Sequence, residues 1–256
     1  MKTKTMLLKL SKRFPKKIAK ANHDRVGLME GKLPEEVNRI LLCLDCDHEI
    51  LPLIEEVKPD LILTHHPFIY GTKGFILSHD PIKKALYDRL EELKIPVYSM
   101  HTNFDTGEGG MNDTLASLLE LKDVQTSLKD PMMRGGKLPH KMDVEEFAKY
   151  AKERFNVDYA LLINSGKKEV ESVAIIGVGG SRRWSLAKEE GYDIFISGDA
   201  PHYVRRDIVL NNYNYLDMPH EIEKAFMPQM KKILLEMDDS LEIFTVDHEK
   251  LPKVIL

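Results

Sequence analysis

The stretch DLILTHHPFIY, residues 60–70, runs a short apolar segment straight into two adjacent histidines and a proline. DLILT (60–64) has the length and composition of a buried strand, and Pro67 cannot continue a ladder. His65 and His66 then have two readings, a pair of buried and satisfied imidazoles or a pair of metal ligands at a strand end, and the flanking sequence has to choose.

Upstream, RILLCLD (39–45) reads as a strand and EILPLIEEVK (49–58) as a helix. Downstream, PIKKALYDRLEELK (81–94) spaces Ile82, Ala85, Leu86, Leu90 and Leu93 as a helix does, and IPVYSM (95–100) reads as a strand. This βαβαβ pattern predicts three parallel strands whose C-terminal ends share one sheet edge, where open α/β sheets bind ligands. Asp45 follows the first strand, His65 and His66 the second, and HTNFD, with His101 and Asp105, the third.

After a glycine-rich turn, a helix is expected from about Asn112. The stretch 122–143 is rich in turn formers and reads as a boundary. Beyond it lie a helix (144–155), strands at YALLIN (159–164) and SVAIIGV (172–178), a helix around RWSLAKEEG (183–191), a strand at DIFIS (193–197) and the turn GDAPHY (198–203). HEIEKAFMPQMKKILLEM (220–237) is a helix with a kink risk at Pro228, and LEIFTV (241–246) a last strand. The fold class is α/β with two lobes: residues 1–122 form the first, completed by 220–256, and 123–219 form the second.

Composition is ordinary for 256 residues, with 43% apolar residues, 30% charged residues and a net charge of -4. That excludes the basic footprint of a nucleic-acid binder and the low hydrophobicity of a disordered chain. The apolar patch in MKTKTMLLKLSKRFPKK is too short for a signal segment or a membrane span, so a cytoplasmic protein is expected. Cys43 and Cys46 form a lone C-x-x-C in an apolar run, on opposite faces if the strand continues, and read as small buried hydrophobes.

Six residues stand out as metal ligands: His65, His66, His101, Asp105, His220 and Glu223. Imidazole and carboxylate donors without thiolate suit zinc, manganese, iron or cobalt, and six donors exceed what one tetrahedral ion needs, so two divalent ions are expected. A carboxylate such as Asp105 can bridge such a pair. His220 lies off the apolar stripe of its helix, and Glu223 is three residues on, a spacing used in carboxylate metal sites. Glu221 points elsewhere on a helix, which favours Glu223. His202, after the strand-end pair Gly198–Asp199, is a candidate for proton transfer, as are Asp45 and Asp113. GVGGSR (177–182) offers either a tight strand-to-helix turn or a phosphate cradle with Arg182 and Arg183. His23, His48, His79, His140 and His248 read as surface residues.

Taken in order, HDRVGLMEG (23–31), LILTHHPFIY (61–70), VYSMHTNFDTGEGGMNDTLA (97–116), VAIIGVGGSRRWSLAKEEGYDIFISGD (173–199) and LDMPHEIE (216–223) resemble the NGG-interacting-factor-three-like family. Its members are also described as dinuclear metal centre proteins and type 2 GTP cyclohydrolase I homologues. The resemblance implies mixed, largely parallel sheets, a two-metal site in the cleft between the lobes, and a ring-shaped homohexamer. It places metal ligands at His65, His66, His101, Asp105 and His220. The family's last ligand is a glutamate four residues after the final histidine, and this chain has Lys224 there, which leaves Glu223 or Glu221 to substitute.

The leading functional expectation is a dinuclear-metal-dependent hydrolase using metal-activated water on a purine nucleotide, as the cyclohydrolase label implies, or on a phosphoester, with Asp105 and His202 in catalytic roles. The competing expectation is a non-catalytic metal-binding scaffold or metal-handling protein that acts through protein partners.

Overall fold

The computed structural model describes residues 1–250 and 252–255, so positions 251 and 256 of the expected segment 220–256 lie outside it. Contacts gather the chain into two units: residues 1–108 with 226–248, and residues 109–225 with the described part of 249–256.

The first unit opens with α1 (Thr3–Arg13), α2 (Lys16–Ala21) and β1 (Gly27–Glu30). Met6 and Leu10, four apart on α1, are buried together with Phe14, which accounts for the short apolar patch as one face of an amphipathic helix. The expected alternation follows as β2 (Arg39–Cys43), α3 (Leu51–Val57), β3 (Leu61–Thr64), α4 (Lys73–His79), α5 (Pro81–Leu93) and β4 (Val97–Ser99), then a short α6 (Thr102–Thr106). Helix α5 starts where the Asp80 side chain accepts from the Lys83 amide at 2.8 Å and Pro81 presets the first turn. It ends at Lys94, in the left-handed region with φ 58°.

The second unit contains α7 (Met111–Leu118), β5 (Lys122–Thr126), β6 (Arg134–Asp143), α8 (Val144–Arg154), β7 (Leu161–Asn164), β8 (Glu169–Val178), α9 (Trp184–Glu189), β9 (Ile194–Gly198), α10 (His202–Leu210), β10 (Asn214–Met218) and a 3₁₀ turn over His220–Ala225. The chain then returns to the first unit with α11 (Phe226–Met237) and β11 (Glu242–Thr245).

In the first unit the strand order is β1-β4-β3-β2-β11. β11, β2, β3 and β4 run parallel and β1 pairs antiparallel at the edge, so the three motif-bearing strand ends do lie along one edge. Ile40, Leu41, Leu42, Leu61, Ile62 and Leu63 are fully buried, as strands covered on both faces must be. The second sheet has the order β5-β6-β8-β9-β10-β7 and is mixed, with β8, β9 and β10 parallel. Both sheets therefore fit the α/β class.

Several expectations are corrected. Residues 122–143 are not a boundary but the hairpin β5–β6. Gly135 and Gly136 look like turn formers, yet a Cβ at Gly135 would sit 2.0 Å from the Tyr192 ring and one at Gly136 2.8 Å from the Lys122 carbonyl, so the glycines mark close approach within a sheet. The division between units falls at 108/109 rather than 122/123, because α7 packs on β6 and β8 and the Asn112 side chain accepts from the Gly177 amide at 2.6 Å. The C-terminal completion of the first unit starts at 226 rather than 220, since the 3₁₀ turn packs on β8 and α7. Pro228 lies in the first turn of α11, where a missing N–H breaks no helical bond, so it interrupts nothing. Cys43 and Cys46 are buried as expected but share one core cluster, because β2 stops at Cys43 and the chain turns before Cys46. Burial pushes the Cys46 thiol up to about 12, leaving it unreactive. Among the described residues no helix is long and apolar enough to cross a membrane.

Candidate metal centre

The first unit's donors sit where β3 and β4 end. The ladder runs on past β3: the His65 amide donates to Cys43 O at 3.2 Å and the His66 amide to Leu44 O at 3.0 Å. Thr64 Oγ1 donates to the His66 carbonyl at 2.7 Å and lies 2.7 Å from Ser99 Oγ, which itself accepts from the Phe68 amide at 3.3 Å. These bonds fix the turn that Pro67 begins. Past β4, His101 is the residue before α6, and the buried Asn103 accepts from its amide at 3.1 Å while donating to Phe14 O at 3.0 Å. HTNFD is thus a cap residue followed by a short helix, which places Asp105 Oδ1 3.5 Å from His65 Nε2.

One nitrogen from each of His65, His66 and His101 falls within 4.8 Å of the others. The ring centroids are 5.0, 5.1 and 5.7 Å apart, and Phe226 and Phe104 wall the group at 5.3 and 6.2 Å from the His65 ring. Those walls keep the surroundings apolar, which strengthens any charge interaction inside.

The back of each ring is held. His65 Nδ1 lies 2.9 Å from the Met100 carbonyl, His66 Nδ1 2.7 Å from Asp45 Oδ2, and His101 Nδ1 2.8 Å from Asp24 Oδ2. Carbonyls and carboxylates only accept, so each Nδ1 carries a proton, and Nε2 is the atom each ring would offer to a metal when neutral. Metal-binding histidines are held this way. Burial pushes the Asp24 carboxyl up, but its bonds from His101 and Thr102 outweigh that and bring it down to about 2. Asp45 is likewise raised by burial and, on balance, lowered by the bond from His66.

The second unit repeats the arrangement once. His220 Nδ1 lies 2.9 Å from Asp199 Oδ2, and Nε2 faces Glu223 Oε2 at 3.2 Å. The segment expected as an α-helix is a 3₁₀ turn with 3.0 residues per turn, so the i+3 residue stands directly over His220. Glu223 is 3% exposed, and its other oxygen accepts from the Val178 amide at 3.1 Å. Lys224 turns away, donating to Asn156 O at 2.8 Å. Glu221 is part-exposed and stands in neither donor set.

The residues fit divalent ions. In neutral imidazoles protonated on Nδ1, the Nε2 lone pair of His65 would face Asp105 and that of His220 would face Glu223, at 3.5 and 3.2 Å. Two acceptors brought together repel unless a proton or a cation lies between them, and the donor set is imidazole and carboxylate throughout.

Other candidates stand elsewhere. His202 is the exposed first residue of α10 and belongs to neither donor set. Asp113 is paired with Arg134 and accepts from the Gly109 amide at 2.6 Å, a structural duty rather than a proton relay. GVGGSR is the tight turn, with Gly179 at φ 78°; Arg183 is bound to Asp130 at 2.8 Å and Arg182 to the Tyr203 hydroxyl at 2.6 Å. His23, His48, His79 and His140 are exposed, while His248 is partly buried against Asp47 at 2.9 Å. Sequence reasoning missed Asp24 and Asp199 as partners of the histidines. Asp199 carried a signal, since it follows a strand and adopts the left-handed φ of 56° that Asp tolerates; Asp24 lies in a loop before a four-residue strand that gave none.

The family model for Duf34/NIF3 (NGG1p interacting factor 3) matches residues 1–252. A protein of Clostridium perfringens named GTP cyclohydrolase 1 type 2 homolog is 27% identical, covering 91% of this chain and 92% of its own. A relative of the same name from Lactococcus lactis is also 27% identical, covering 98% of both. The crystal structure of a Bacillus cereus protein related to NIF3 superposes with a TM-score of 0.89 at 19% identity, covering 100% of this chain and 99% of that one, and so shares the fold. With a match that spans nearly its whole length, the chain belongs to the Duf34/NIF3 family.

Proposed function

We propose that this chain is a metal-dependent hydrolase in which His65, His66, His101, Asp105, His220 and Glu223 hold two divalent ions. The observation that supports it most is the uniform fixing of four imidazoles, each with Nδ1 against an acceptor. Divalent ions bound to such donors supply Lewis acidity and make water a competent nucleophile near neutral pH. The chain's own part is to orient the imidazoles by their Nδ1 bonds, to keep water away from the buried His65 side with Phe104 and Phe226, and to present the Asp105 carboxylate beside that ring.

The two relatives described above carry the name GTP cyclohydrolase 1 type 2 homolog, which makes a purine nucleotide the first substrate to try and a phosphoester the second. The assembly that goes with this reading is a ring-shaped homohexamer, checked by light scattering. Full-length protein loaded in turn with zinc, manganese, iron or cobalt is incubated with GTP and with a phosphoester panel. Metal-dependent turnover is the expected result. Filled sites without turnover would sink the hydrolase and leave a metal-handling scaffold.

A further inference from the structure

Three of the four imidazoles lean on carboxylates, and the three carboxylates differ in kind. The side chain of Asp45 is 45% exposed and that of Asp199 57%, whereas Asp24 is 6% exposed. Asp24 is also the most fully engaged. Its Oδ1 accepts from the Arg25 amide at 2.7 Å, and its Oδ2 accepts from His101 Nδ1 at 2.8 Å, Thr102 Oγ1 at 2.6 Å and the Thr102 amide at 3.2 Å. It comes from the loop before β1, 77 residues away from His101. A loop whose only duty was to pin α6 could bond Thr102 alone. Asp24 reaches past Thr102 to the imidazole as well.

We propose that Asp24 is a positioning residue of the metal centre: it fixes His101 in the Nδ1–H tautomer and aims Nε2 at the ion. This rests on the metal reading above. The burial of Asp24 sets it apart from the other two carboxylates. Asp45 and Asp199 are part-exposed, so water has access to the back of their histidines, whereas the Asp24 side chain is closed off among its bonds to Arg25, His101 and Thr102. His101 is therefore the ring whose orientation depends most on a single side chain.

The test uses the full-length chain and two readouts. In the metal-free protein, long-range ¹H–¹⁵N NMR reads the His101 tautomer, and competition against a chelator gives the affinity for Co²⁺. Wild type should show His101 as Nδ1–H. Asp24→Asn, whose amide can turn either its oxygen or its NH₂ to the ring, should mix the two tautomers and weaken Co²⁺ binding by about 10- to 100-fold, as loss of a carboxylate behind a ligand does. Thr102→Val removes the hydroxyl bond but spares the one to His101, and should leave both readouts near wild type. Three results overturn the proposal: an Nε2–H tautomer in the wild type, unchanged Co²⁺ affinity in Asp24→Asn, or an equal loss in Thr102→Val. If Asp24→Asn does not fold, the wild-type tautomer still decides. If the wild type takes up no Co²⁺, the metal reading fails while the tautomer still reports on Asp24.

Discussion

The two units supply donors of the same chemistry from supports of very different stiffness. In the first, His65 and His66 continue a central parallel strand and His101 ends the next, so the sheet's own hydrogen bonds extend into the site. His65 is fully buried. In the second, His220 stands on a 3₁₀ turn with its side chain 46% exposed, backed by an Asp199 more open still. A strand end carries its neighbours' ladder bonds, whereas the 3₁₀ turn is anchored on β8 and α7 through its buried residues and leaves its His220 end exposed. The first set is thus ready before any ion arrives, and the second has one fixed member, Glu223, and one adaptable member, His220.

The largest effect expected from this contrast lies in the first set. His65→Ala or His66→Ala should remove bound metal more completely than the roughly 10–100-fold loss typical of changes behind a ligand, read by elemental analysis of purified protein. His220→Ala should lower the metal content less. Equal loss from both sets would erase the distinction between them.

Glu223 comes next, because it combines a donor oxygen with a structural one. Glu223→Ala leaves the Val178 amide without its acceptor and should cost about 1–3 kcal/mol in denaturant unfolding as well as metal. Glu223→Gln keeps an acceptor for that amide and should lose metal with most of the stability intact. Glu221→Ala, at a part-exposed site, should stay within about 0.5 kcal/mol of wild type and keep its metal. Metal loss in Glu221→Ala would show that the wrong acid has been assigned.

The same stiffness explains what was legible in the sequence. The apolar run before His65–His66 announces a strand, the helical spacing of 81–94 announces the crossover, and together they place Asp45, His65, His66 and His101 at one edge. The edge strand β1 has four residues, too few to show a period, and the acid just before it went unread as a result. The hairpin β5–β6 was hidden by Gly135 and Gly136, because close packing against Tyr192 and a tight turn call for the same residue. α10 was hidden because Pro201 and His202 read as a turn, although a proline before the first helical residue is an ordinary helix start. The Asp24–His101 pairing crosses 77 residues and leaves no local trace.

In the second unit the stiff part is the sheet, away from the donors, and acid should find it there. Asp193 accepts from the Glu171 amide at 3.0 Å and the Ser172 amide at 3.1 Å, and pairs with Lys167. Burial raises its pKa, but the Lys167 bond and the amide bonds together hold it below the ordinary carboxylate value. A lowered folded pKa contributes stability above the unfolded value of about 4 and loses it as pH falls through the folded one. Asp193→Asn should be less stable than wild type by about 1 kcal/mol at neutral pH, and the gap in melting temperature should close below about pH 4. A gap that persists in acid would mean that Asp193 acts through packing rather than charge.

The smallest effect is expected from restoring the carboxylate that the family resemblance would put four residues after His220. In an α-helix, i+4 lies about 40° from i and is a natural partner. In a 3₁₀ turn it lies about 120° away, and i+3 takes its place. Lys224 follows that geometry, pointing to Asn156 rather than to His220. Lys224→Glu should therefore leave Co²⁺ affinity within about twofold of wild type and cost only the exposed bond to Asn156, a few tenths of a kcal/mol. A tenfold gain in affinity would mean that the segment rewinds to an α-helix around the ion, and that the second unit's donors are more mobile than their 3₁₀ geometry implies. Glu223 rather than position 224 faces His220 because a 3₁₀ turn is tighter than an α-helix, so the contact is set by the backbone.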